Sequence, residues 1–122
     1  MANDILRHLV SAPKENHIEI DFDLRKKIFY LIISIYMSQT ALPRGVKEYV
    51  DARKNRTFKP HSTRFELEGE KVVKLIQEIP FRWGFAPGSR QEILEFLHLA
   101  KKCHRTLYEI ALEEKYKEAL DL

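Results

Sequence analysis

The sequence predicts a mainly α fold: a small helical bundle of three to four helices with a long C-terminal helix and at most one short strand. Three observations predict it. From Ser89 to Leu122 no Pro or Gly interrupts the chain, and Ile93, Phe96, Ala100, Cys103, Leu107 and Ile110 recur at steps of three and four, the spacing of one helix face. From about Leu24 to Gln39 the chain is apolar nearly all round, as a helix buried on most sides would be. Pro43 suits a helix start, and Val46, Tyr49, Val50 and Ala52 follow at helical spacing. With 122 residues, 44% hydrophobic and 32% charged, the chain suits one domain, 1–122, with a core of its own.

Taken in order, Asn3 can cap a short helix from Asp4 to Ser11 with Ile5, Leu6, Leu9 and Val10 on its apolar side, and Ala12-Pro13 ends it. His17 to Asp23 alternates polar and apolar residues, which is a strand in isolation or an extended lead-in capped by Asp21 or Asp23. The segment Ile28–Met37 follows as the central, all-round buried helix. A face that apolar exceeds what one small bundle can cover, so self-association into a homo-oligomer is expected. The helix after Pro43 fades near Asn55, and a loop holds Phe58-Lys59-Pro60. Thr63-Arg64-Phe65-Glu66 reads as a capping box for a helix with Phe65, Val72, Val73, Ile76 and Ile79 as its stripe, closed by Pro80. Gly69 is its weak point, where Arg64 to Glu68 can peel away as a strand. Ser89 and Glu92 form a second capping box before the long helix. A helix of about 30 residues spans about 45 Å, so it must kink or project.

Charge is unevenly placed. The net charge is +3, but residues 1–105 hold 19 Lys and Arg against 13 acids, and residues 106–122 hold two Lys against five acids. Between Asp51 and Glu66 lie Arg53, Lys54, Arg56, Lys59, Arg64 and His61 with no acid among them, and Phe58 sits inside the run. Such a loop suits phosphate contacts with a ring stacking on a base. Lys101, Lys102 and Arg105 form a second basic cluster on the long helix, which the loop would reach by folding over that turn. Phe81-Arg82-Trp83-Gly84-Phe85 places three aromatics in five residues, a plug for the end of a core or a protein-binding platform at Phe81, Trp83 and Phe85.

Other classes lack support. One cysteine, Cys103, excludes an internal disulfide framework and suits a reducing compartment. The start of the chain carries Asp4 and no basic stretch followed by a long apolar run, so a cytoplasmic protein is expected. The uncharged stretch from Ile28 to Pro43 falls short of the roughly 20 apolar residues of a spanning helix, so no membrane partner is expected. Glu95-x-x-His98 occurs once and Cys103-His104 has no second cysteine, so no metal and no cofactor is expected. No nucleophile elbow or phosphate-cradling glycine loop is present, and the protein is not expected to be an enzyme.

Two short stretches resemble known families. Arg56 to His61 is similar in its Arg-x4-His spacing to the motif of HEPN ribonucleases, where it lies on a helix; Pro60 breaks any helix here. Arg64-Phe65-Glu66-Leu67-Glu68, a helical stretch, then Ser89-Arg90-Gln91-Glu92-Ile93-Leu94 resembles the strand-helix-helix order of ribbon-helix-helix DNA binders. That resemblance implies a strand paired with its twin in a dimer, with Arg64, Glu66 and Glu68 facing DNA. The sequence therefore leads to a non-enzymatic nucleic-acid-binding or accessory protein that uses Arg53, Lys54, Arg56, Lys59, Arg64, Lys101, Lys102 and Arg105 on phosphates and Phe58 for stacking. The alternative is a protein-interaction adaptor or subunit using the aromatic turn and the acidic helix end.

Overall fold

The computed structural model describes residues 18–54, 56–57, 61–81 and 90–121. The fold is α/β: strands β1 (Glu19–Asp23) and β2 (Ile28–Met37), helix α1 (Arg44–Arg53), strands β3 (Ser62–Glu68) and β4 (Val72–Pro80), and helix α2 (Arg90–Leu120). The four strands form one antiparallel sheet in the order β1-β2-β4-β3. Both helices pack on the same face, α2 against β2 and α1 against β3 and α2.

This overturns the helical bundle. Ile28–Met37 is not a buried helix but the strand next to the sheet's centre, paired with β1 on one side and β4 on the other. Its β-branched and aromatic residues suit a pleated surface covered on both flanks. Burial alternates along it: Leu31 and Ile33 are inside the helix-covered face, and Tyr30, Ile32 and Ser34 are half-buried on the other. A ten-residue strand is accommodated by a bulge at Ile35, where the register slips between Ser34 and Tyr36 and both Ile35 and Tyr36 join the core side. With its apolar faces met inside the chain, the segment no longer supplies the reason given for self-association.

The second expected helix is also a hairpin. Thr63 is not a helix cap but a fully buried residue of β3, whose hydroxyl accepts from Gln77 Nε2 at 3.3 Å on β4. Phe65, Val73, Leu75 and Ile79 line the core at a period of two. Val72 and Ile76 lie on the opposite face, and adding them to the stripe produced the false helical spacing. Gly69 turns the hairpin at φ +62°, a conformation that favours glycine. The Arg64–Glu68 strand pairs with β4 of the same chain and is followed by a strand, not a helix, so the ribbon-helix-helix order is absent.

Three expectations agree with the fold. His17–Asp23 contains β1, the helix after Pro43 is α1, and the long helix runs 31 residues. The expected Asp4–Ser11 helix and the Ser89 cap lie outside the described residues. The core joins Leu31, Ile33 and Ile35 of β2 and Val73, Leu75 and Ile79 of β4 to Val46 and Val50 of α1 and Phe96, Leu97, Ala100, Leu107 and Ala111 of α2. Gly45 lets the helices approach: a Cβ there would stand 3.0 Å from Ile110 Cγ2.

Candidate protein-binding surface

Arg64 lies apart from the basic residues of the helices. The Arg53 guanidinium lies 3.7 Å over the Tyr49 ring and donates to the Tyr49 carbonyl at 3.2 Å. Lys54 sits 4.0 Å from Asp51, an exposed pair one helical turn away. Arg56 is exposed; Phe58 and Lys59 lie outside the described residues. Arg64 stands on β3, on the face of the sheet away from the helices, with Nη1 2.6 Å from Glu78 Oε1 and Nη2 3.8 Å from Glu66. Lys101, Lys102 and Arg105 are exposed on α2, in the other layer. The sheet thus separates Arg64 from the helix cluster. Acids on neighbouring strands also engage Lys74: its Nζ lies 3.0 Å from Glu68, and that hydrogen bond, with Glu68, Glu19 and Glu66 charges nearby, raises its pKa.

Apolar side chains, by contrast, gather on one flank. The register pairs Ile20 with Leu31 and Phe22 with Phe29, which places Ile20 and Phe22 on the helix-bearing face. There β1 lacks the helix packing that β2 and β3 have, and Ile20 and Phe22 remain 49% and 41% exposed. Phe22 lies 4.3 Å from Phe29, centroid to centroid, and 6.4 Å from Phe81, which is itself 43% exposed. The Phe81 amide donates to the Lys27 carbonyl at 2.9 Å, fixing this ring beside the sheet end. Of the expected aromatic platform Phe81 is therefore present at this flank; Trp83 and Phe85 lie outside the described residues.

The exposed side of α2 carries the second apolar element. Tyr108, Leu112, Tyr116 and Leu120 are all more than half exposed and recur every four residues, so they follow one slowly turning stripe. His104 stacks on Tyr108 at 6.2 Å, and burial lowers its pKa below the ordinary 6.5. The Tyr36 phenol on β2 is raised in pKa by burial first, then by the charges of Glu114 and Tyr108 on α2. Alternation in His17–Asp23 marks a strand but does not say that its apolar side, Ile20 and Phe22, stays exposed, because that depends on where the helices lie on the sheet. Sequence reading missed the α2 stripe because the core spacing of three and four drew attention away from the i, i+4 series.

The flank holds little with which to do chemistry. Burial pushes the Cys103 thiol up to about 11, so it stays protonated and a poor nucleophile at neutral pH. Among the described residues no three His, Cys, Asp or Glu gather to hold a metal ion, and no helix is long and apolar enough to cross a membrane. No protein family, curated protein or solved structure matches the chain.

Proposed function

We propose that the protein is a non-catalytic interaction module that holds an apolar segment of a partner protein against β1 and the Phe22–Phe29–Phe81 cluster. The observation that carries this reading is the exposure of Ile20, Phe22 and Phe81 on the same sheet face that helices cover elsewhere. Contiguous apolar surface of this kind costs solubility unless a partner uses it. The phosphate-contact reading has weaker support, because Arg53 stacks on Tyr49 and Arg64 is ion-paired in the other layer.

A cellulose-bound array of unrelated 12-residue peptides, probed with purified protein, tests the proposal. Binding to apolar spots that Phe22→Ser abolishes, with the fold intact by circular dichroism, is the expected result. Binding unchanged by Phe22→Ser would overturn it. Titrating mixed DNA and RNA against salt supplies the opposite outcome: tight binding with a steep salt slope, flattened by about 0.7–0.9 per charge when Arg53, Lys54 and Arg56 become Gln, would favour the phosphate reading instead.

A further inference from the structure

We infer that Glu114 is a latch: its carboxylate caps the start of α1, and this contact decides whether α2 beyond Ala111 stays helical or frays. The latch is independent of the β1 surface and lies at the other end of β2, beside Tyr36 rather than Phe29.

The need for it on the α1 side is written in the sequence. A helix start leaves its first amides without partners inside the helix. Pro43 precedes α1 and supplies no side-chain cap, and the first turn of α1 carries no acid. The acceptor comes instead from 69 residues along the chain: the Gly45 amide donates to Glu114 Oε2 at 3.4 Å. The carboxylate also sits at the positive end of the α1 dipole, which favours a negative charge. The approach depends on Gly45 having no side chain, since a Cβ there would stand 3.0 Å from Ile110 Cγ2 and 4.0 Å from Glu114 Oε2. The same charge is felt on β2, where it adds to burial in raising the Tyr36 pKa. Glu114 thus ties α2 to the start of α1 and stands within electrostatic reach of the end of β2.

The α2 side needs the contact for a different reason. From Leu112 to Asp121 every residue is exposed except Glu114, which is half-buried. Helical turns without tertiary packing are marginal in water. Glu118 and Asp121 place negative charge at the negative end of the α2 dipole, with Lys117 as the base of its last turn. The Lys117–Glu113 pair at 3.5 Å is exposed and adds little. When the latch opens, the α2 end is the side that moves. α1 stays anchored through Val46 and Val50, both fully buried, and the loop before it is pinned to the β3–β4 turn by Ser38 and Leu42 amides on the Lys71 and Glu70 carbonyls at 2.9 and 2.8 Å. Open clefts flank Glu114, one of about 610 Å³ towards Tyr36 and Thr40 and one of about 320 Å³ towards Glu48 and Asp121, so its side chain can swing out without unpacking the core.

Amide hydrogen exchange in the full chain, read residue by residue by NMR, tests the latch. In Glu114→Ala the amides of Lys115 to Leu120 and of Gly45 are expected to exchange about fivefold faster, as loss of a helix cap implies, while β2 and β4 amides change less than twofold. Glu114→Gln, which keeps an acceptor but not the charge, is expected to show a smaller rise at the same amides and serves alone if the Ala variant does not fold. Glu118→Gln, an acid one turn further on, is expected to leave them no faster than in the parent. Unchanged exchange beyond Ala111 in both Glu114 variants would overturn the latch. So would an equal rise at the β2 and β4 amides, which would make the contact a general support of the fold, or an equal rise in Glu118→Gln.

Discussion

The two outer strands of the sheet, β1 and β3, face solvent in different ways. β3 is guarded on both faces. On one, α1 packs over it, Phe65 is 4% exposed, and the Tyr49 ring meets Phe65 edge-on at 6.2 Å. On the other, Arg64 bridges to Glu78 on β4 and lies near Glu66. β1 has no such cover on its apolar face, where Ile20 and Phe22 stay 49% and 41% exposed, and its acids line the opposite face. An edge strand left this way is a hazard for unplanned pairing unless it is short and charged. β1 is five residues long with three acids, two features that guard an edge against unplanned pairing, and its apolar face stays exposed. The difference teaches that the fold invests its packing at β3 and leaves β1 as surface.

The largest expected effect sits on the guarded side. Phe65→Ala should cost about 3–5 kcal/mol, as loss of a buried aromatic does, against about 1 kcal/mol or less for Phe22→Ala, whose ring is already partly in water. Urea denaturation of the two variants measures this, and equal losses would erase the contrast between the edges. Next come the hairpin turns. β3–β4 turns through Gly69 at φ +62°, and β1–β2 turns through Lys27 at φ 53°, where a side chain is strained. Gly69→Ala should destabilise by about 1 kcal/mol, and Lys27→Gly should stabilise by about 0.5 kcal/mol once its greater unfolded freedom is subtracted. Opposite signs in thermal midpoints check this.

The cross-strand bridge is expected to count for less than the core. Glu78→Gln should lose about 0.5–1 kcal/mol at low salt and less at high salt, since the pair is only partly screened from water. Asp21→Asn on β1 should stay within about 0.5 kcal/mol of the parent. The smallest effect concerns pH and the α2 flank. His104 has a folded pKa below its ordinary 6.5, so the unfolded chain takes up the proton first. Its contribution to stability is thus complete above pH 6.5 and is lost as pH falls towards the folded value. Urea midpoints at pH 7.5 and 5.5 should drop in the parent and drop less in His104→Gln.

How much of this was legible in the sequence depends on whether period or propensity decided. The α2 stripe from Ile93 to Ile110 and the Pro43 start of α1 were legible because local spacing and local chemistry agree there. Ile28–Met37 was not, because a strand with apolar residues on both faces has no sequence alternation to read, and the bulge at Ile35 further blurs its period. Val72 and Ile76 misled for a related reason: they are apolar on the open sheet face, where Ile76 is shielded to 5% exposure beside Ile32 and Arg64. Of the candidate site, Phe81 was legible as an aromatic at a turn, and the basic run was legible as charge. Which of those charges share a surface was not, because that depends on the sheet order β1-β2-β4-β3, a set of long-range pairings.

The openness of β1 is tested most directly by fluorine NMR, with 4-fluorophenylalanine at position 22 or 65 and a soluble gadolinium chelate in the buffer. An open β1 flank requires the Phe22 resonance to broaden strongly in the free protein while the Phe65 resonance, from a ring 4% exposed, stays sharp. A Phe22 resonance as protected as that of Phe65 before any peptide is added would contradict the claim that this edge is a binding surface.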